Sequence, residues 1–355
     1  VKIITIFGTR PEIIRLSLII KKLDIFFNHI MVHTGQNYDY NLNDIFLNKL
    51  NIRKPDYFLG ASSESFAIQI SSIIVGVEKI LLKEQPDALL VLGDTNSGIS
   101  AYVAKRMGIP VFHMEAGNRC YDNKVPEEVN RIVIDHCSDI YMPYTERSVF
   151  NLVSEGVDRN KIYVIGNPIV EVIEHYVKDK KKVNFNVPNE YILITMHRAE
   201  NVDSKENLEK LIKGMKLIYE DYKIPMIFPV HPRTKSKMDR FNIDVNMEGF
   251  VFLDPIAFDD FIFLEKKAKC VITDSGTVQE ESCIFKVPNI TIRDVTERPE
   301  TLECGSNILT GCCPDSIKKS FDIVVQLDNK WDVPEEYLIK NVSDKVIKII
   351  KSNIK

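Results

Sequence analysis

The chain has 355 residues, 45% of them hydrophobic and 27% charged, the balance of an ordinary globular enzyme long enough for two domains of about 170 residues. A formal net charge of -4 gives no basic footprint and argues against a nucleic-acid partner, and no apolar stretch approaches the roughly 18 residues of a membrane span. Seven cysteines, an odd number without zinc or disulfide spacing, read as reduced thiols in a cytoplasmic protein.

The chain opens on VKIITIF, which reads as a first strand rather than a signal peptide. Short apolar runs at 2–7, 29–33, 88–92, 110–114 and 161–165 are continuous and rich in β-branched residues, the pattern of strands buried on both faces. Helix-length amphipathic segments such as 13–23 and 97–107 lie between them, and this alternation predicts right-handed βαβ crossovers and a parallel sheet. A turn and helix at 166–176 lead to a charged linker at 178–189. The pattern then restarts with runs at 191–195, 224–230, 269–273 and 287–292. The expectation is therefore α/β: two Rossmann-like parallel-sheet domains facing a central cleft. The first spans 1–170, completed by an amphipathic C-terminal helix at 335–355, and the second spans 171–334.

Candidate chemistry gathers where these strands end. GTRPEIIR at 8–15 and TDSGTVQEES at 273–282 each turn from a strand into a helix, and such turns aim backbone N–H groups at an anion, here a phosphate. Asp94 ends the strand ALLVLG and Glu115 ends PVFHM, so one crossover brings both carboxylates to the same sheet edge. Helix capping by Asp94 and an ion pair of Glu115 with Arg119 are the structural alternatives. Glu127 and Glu128 follow Pro126 in a first helical turn, where the dipole alone explains a carboxylate, and Arg131 lies one turn on. Near Asp94 and Glu115, a third acid would help separate an acid from a base.

His197 and His231 follow equivalent strands, each with an arginine close behind (Arg198, Arg233), an arrangement suited to an anion or a leaving phosphate oxygen. No third ligand stands at metal-site spacing. Ser275, Gly276 and Thr277 open the helix TVQEESCIF, with Gly276 permitting close backbone approach. Glu281 reaches toward a ribose hydroxyl or belongs to a solvated face, and Arg298 holds a further phosphate or cross-links its domain. No P-loop, GxGxxG, GxSxG or HExxH motif is present.

Taken in order, GTRPE (8–12), GDT (93–95), EAG (115–117), PEEVNR (126–131), DSGTVQEE (274–281) and RDVTERPE (293–300) resemble the non-hydrolysing UDP-N-acetylglucosamine 2-epimerase family. The resemblance implies a GT-B architecture, a UDP-sugar substrate, a homodimer, and C2 epimerisation without NAD or metal through a glycal intermediate. Position by position, it implies acid/base roles for Asp94, Glu115 and Glu127 and a leaving-group role for His197. It implies nucleotide contacts from Arg10, His231, Ser275, Gly276, Thr277, Glu281 and Arg298, with Arg15, Arg131 and Arg198 added from their charge beside these motifs.

Arg15 replaces a common lysine, DSGT replaces DSGG, the stretch 33–44 departs from its usual form, and EAGNRCYDNKVPEE at 115–128 is short. These variants resemble the branch that makes UDP-N-acetyl-L-fucosamine from the 6-deoxy L-talo epimer for capsule and O-antigen, placed ahead of UDP-N-acetylglucosamine itself. A GT-B glycosyltransferase and a non-catalytic nucleotide-sugar sensor are the competing functions.

Overall fold

The computed structural model describes residues 1–36, 47, 49–63, 65–177, 182–244 and 246–354. Most of the variant stretch 33–44 and the start of the linker, 178–181, lie outside the described residues. The chain divides into two compact units, Val1–His175 with Glu335–Lys355, and Tyr176–Pro334.

In the first unit, β1 (Lys2–Phe7), β2 (Asn28–His33), β3 (Tyr57–Phe58), β4 (Ala88–Leu92), β5 (Val111–Met114) and β6 (Ile140–Met142) form one parallel sheet in the order 3-2-1-4-5-6. Every residue of β4 and β5 is buried, which is why these runs read as continuous rather than alternating. Ile4, Ile6, Leu89 and Val91 pack with Ile73, Val77 and Ala101 from the covering helices. The expected strand at 161–165 does not form. Only Ile162 bridges to Tyr141, and the sixth strand is the three-residue Ile140–Met142, too short to stand out in the sequence. The C-terminal helix Val342–Asn353 belongs to this unit, where Lys22 on the helix Arg10–Phe26 reaches Asp344 at 2.7 Å and Ser343 at 2.6 Å.

The second unit repeats the plan with β7 (Ile192–Thr195), β8 (Met226–Pro229), β9 (Phe250–Leu253), β10 (Cys270–Thr273), β11 (Asn289–Thr291) and β12 (Asn307–Leu309), again all parallel. Their order, 12-11-10-7-8-9, is the first sheet's order read from the other edge. In each sheet the crossovers therefore reverse direction once, between β1 and β4 and between β7 and β10. The loops leaving those strand pairs part to opposite faces and open a crevice at the carboxyl edge.

Candidate active site

In the first unit that crevice is built from charged residues in matched pairs. β4 and β5 run side by side to the register pair Leu92–Met114, and each then turns sharply. Gly93 has φ 74° and Glu115 φ 65°, both left-handed. For Glu115 that conformation carries strain of about 1–3 kcal/mol, held in place by its N–H on the Met142 carbonyl at 3.1 Å. Its carboxylate takes the Arg15 guanidinium at 2.6 Å, with both side chains almost fully enclosed, and accepts from Asn118 and the Tyr144 hydroxyl at 3.3 Å each. A Cβ on Gly93 would lie 3.7 Å from Glu115 Oε2, so this carboxylate sits over the residue that precedes Asp94.

Asp94 accepts from Arg131 Nη2 at 2.6 Å and Nε at 3.2 Å. The cap expected of Asp94 is supplied by Thr95, whose Oγ1 accepts the Ser97 N–H at 3.3 Å. Arg131 also pairs with Glu128. Burial alone would raise the Glu128 carboxyl, but the Cys120 and Tyr121 N–H groups and Arg131 hold it below the usual carboxylate range. Glu127 occupies the same helical turn, half-buried, and Arg10 is half-buried at the first position of its helix. Arg119 pairs with Asp135 at 2.8 Å and Glu155 at 2.6 Å, so the alternative partner proposed for Glu115 is engaged elsewhere.

Glu12, inside GTRPE, completes the capping box of the helix Arg10–Phe26. Burial pushes its carboxyl up to about 7, outweighing donors from Gly8, Thr9 and Thr95. A folded value above the ordinary 4.5 means that the folded chain binds this proton more tightly than the unfolded chain does. Its stabilising contribution is complete below about pH 4.5 and is lost as pH rises through about 7. The stability of the wild type relative to Glu12→Gln should therefore fall by about 3 kcal/mol across that window. Urea denaturation at closely spaced pH values checks this, and a flat difference refutes it.

The second unit's crevice is organised by a residue left outside the sequence-derived site. Asp274 follows β10, is fully buried, and accepts the His197 N–H (3.0 Å), the Arg198 N–H (2.9 Å) and Asn201 Nδ2 (3.1 Å) from the loop after β7. Its place at the head of DSGT was the available signal, but a bracing role depends on β7 and β10 being neighbours. The brace turns the His197 ring partly into solvent, 5.2 Å from the His231 ring. His231 caps the helix Pro232–Phe241 by accepting the Arg233 N–H at Nδ1, which puts the proton of the neutral ring on Nε2. Arg233 itself turns away to Asp203, at 2.6 Å.

Ser275 heads the helix Gly276–Phe285, and its hydroxyl lies 3.0 Å from that of Thr277. A Cβ at Gly276 would meet Glu297 Oε1 at 2.5 Å, so the glycine leaves room for the end of that side chain as well as for the approach of a ligand. Glu297 draws Arg293 at 2.9 Å and Arg198 at 3.5 Å, and buried Arg298 pairs with Glu280 at 2.5 Å. Glu281 is buried rather than on a solvated face, beside Glu265, whose carboxyl is pushed well above the usual range by burial and by the Glu281 charge. Glu265 ends an amphipathic helix next to two lysines, a context that reads as surface in the sequence.

Among the described residues, no cluster of three or more His, Cys, Asp or Glu side chains is placed to hold a metal, and no helix is long and apolar enough to cross a membrane. All seven cysteines are free thiols, with Cys283 and Cys304 sulfurs 3.6 Å apart.

The family model for UDP-N-acetylglucosamine 2-epimerase matches residues 21–351. The chain is 41% identical over 346 residues to the UDP-N-acetylglucosamine 2-epimerase of Methanocaldococcus jannaschii, covering 94% of each. It is 34% identical over 325 residues to the UDP-2,3-diacetamido-2,3-dideoxy-D-glucuronate 2-epimerase of Pseudomonas aeruginosa, covering 90% of this chain and 91% of that one. The crystal structure of the M. jannaschii enzyme in complex with UDP-GlcNAc and UDP superposes with a TM-score of 0.94 at 40% identity, over 99% of this chain and 100% of that chain.

Proposed function

The chain belongs to the UDP-N-acetylglucosamine 2-epimerase family, isomerases of GT-B-like fold that act on a UDP-sugar, and from that premise we propose the roles of its residues and its substrate. The observation that carries the reading is the pair Asp94 and Glu115 at the ends of neighbouring strands, each matched to a guanidinium. One carboxylate removes the C2 proton, the C1–O bond breaks, and its electron pair leaves with UDP, giving the glycal. UDP then re-adds to C1 while the acid on the opposite face protonates C2, so atoms and charge balance without a redox partner. Because a C2 hydrogen is weakly acidic, the departing diphosphate must be stabilised as strongly as the base is positioned.

Glu127 completes the acid/base set, and Arg15 and Arg131 set the two carboxylates. His197 meets the leaving diphosphate, supported within its own unit by Arg198 and His231, and Arg10 makes a nucleotide contact. The N–H groups at the start of the helix after Ser275, with Gly276, Thr277 and Arg298, hold phosphate oxygens, and Glu281 takes the ribose. The archaeal relative favours UDP-N-acetylglucosamine and its manno epimer as the substrate pair. The variants GTRPEIIRLS and the short 115–128 segment favour a second pair, the 6-deoxy L-talo sugar and UDP-N-acetyl-L-fucosamine, made for a surface polysaccharide by a cytoplasmic homodimer.

Incubation with each UDP-sugar in D2O, read by NMR, tests the proposal. Deuterium should appear at C2 with no acceptor present, and the sugar that exchanges fastest identifies the substrate. Turnover only with an acceptor would make the protein a glycosyltransferase, and binding without exchange would make it a sensor. His197→Ala should lower kcat by about 100-fold with a smaller loss of UDP affinity, because a group that stabilises the departing diphosphate acts mainly in the transition state. The ring is partly exposed, so the melting temperature should hold; equal losses of stability and activity would refute the role.

A further inference from the structure

Behind the two carboxylates lies a fully buried histidine that the sequence motifs pass over. His113 sits on β5, two residues before Glu115, with no solvent exposure. Its Nδ1 is 2.7 Å from Asp135 Oδ1, and its Nε2 is 2.9 Å from the carbonyl oxygen of Gly93, the residue before Asp94. Asp135, also fully buried, uses Oδ2 to accept the Gly117 N–H at 3.1 Å, two residues after Glu115, and pairs there with Arg119 at 2.8 Å. We infer that His113 is a positioning residue for the epimerisation, a ring whose two nitrogens tie the Gly93 carbonyl to Asp135 and so set both turns that carry Asp94 and Glu115.

The direction of one bond follows from its partner. A carbonyl oxygen can only accept, so the ring gives the hydrogen at Nε2 to Gly93. Burial alone would raise the Asp135 carboxyl, but the charges and hydrogen bonds of His113 and Arg119 hold it below the usual range. Arg119 pairs with both Asp135 and Glu155, so the buried Asp135 charge has a cation beside it, as a buried charge requires.

The same contacts explain how the ring acts at a distance. The turn at Gly93 and the strained turn at Glu115 are both left-handed, and side-chain direction follows backbone there. From β5, His113 pins the carbonyl that ends β4, while Asp135 pins the N–H beyond Glu115. A misplacement of about 1 Å at such a site costs on the order of 100-fold in rate. This role rests on the epimerase reading, since only then are Asp94 and Glu115 the groups to be positioned.

The test begins on the wild-type full chain labelled with 15N-histidine, the His113 signals being those lost in His113→Gln. Nε2 should carry the hydrogen given to the Gly93 carbonyl; an unprotonated Nε2 overturns the assignment. Next, C2 exchange and UDP affinity are compared in His113→Leu and His113→Gln. Leucine offers the Gly93 carbonyl no donor, and kcat should fall on the order of 100-fold with UDP affinity kept, whereas the glutamine amide should recover about tenfold of that loss. Equal activity in the two variants, or a leucine variant within about threefold of wild type, overturns the positioning role. If the leucine variant does not fold, the glutamine variant's kcat and the wild-type spectrum still decide. A wild type that exchanges no C2 hydrogen refutes the epimerase reading alone, because the spectrum reports the ring whatever the reaction.

Discussion

Glu115→Gln should lower deuterium incorporation at C2 by at least about 100-fold, the usual scale for loss of a general acid or base, while the chain stays folded and binds UDP. Glutamine has nearly the same shape, and its amide oxygen can still accept from Arg15, Asn118 or Tyr144, so the buried guanidinium keeps a hydrogen-bond partner. Glu115→Ala is the contrasting variant. It leaves Arg15 as a buried charge without its carboxylate, a change that costs about 3–5 kcal/mol, so stability and activity should fall together. Asp94→Asn should match Glu115→Gln in rate, since both acids are needed if proton removal and return use opposite faces of C2. NMR exchange, with melting temperature and UDP titration as controls, separates these outcomes. Near-normal exchange in both conservative variants would remove the two carboxylates from the chemistry.

Arg131→Met is expected to destabilise the first unit as strongly as Glu115→Ala. Arg131 is fully buried and serves two carboxylates, Asp94 with its side chain 23% exposed and Glu128 with 1% exposed. Asp94 can turn to water when the guanidinium is lost; Glu128 cannot. The unpaired Glu128 should cost about 3–5 kcal/mol, read as a lower urea midpoint. Adding Glu128→Gln should restore part of the loss, because the buried charge is then gone while one amide oxygen remains to accept from either the Cys120 or the Tyr121 N–H group. A loss under about 1 kcal/mol in the single variant would place the pair in the weak class of surface ion pairs. Activity should fall in both variants, since Asp94 loses the group that orients it.

What could be read from the chain alone was what neighbouring residues decide. A buried parallel strand is written as a local run of apolar, β-branched residues, so β1, β2, β4, β5, β7, β8, β10 and β11 were legible. The turns GDT, EAG and DSGT mark strand ends, and their order along the chain carried the family resemblance. Short strands lack such a signal. β3 has two residues and β6 and β12 have three, whereas the equally short β11 stands out because Val287 and Ile292 extend its apolar run; β9 is only half-buried, and the apolar segment at 161–165 makes one bridge, Ile162 to Tyr141.

The partner each charge takes was settled only by tertiary structure. Arg15 and Glu115 are 100 positions apart, and their 2.6 Å contact exists because β1 and β5 flank β4 in the sheet. Asp274 became a brace because β7 and β10 are neighbours, Gly276 answers Glu297 across a loop, and His113 meets Gly93 only across the β4–β5 pair. Periodicity and turn chemistry act over a few residues of backbone, whereas an ion pair or a buried hydrogen bond depends on distances of about 3 Å between segments that only the folded sheet brings together.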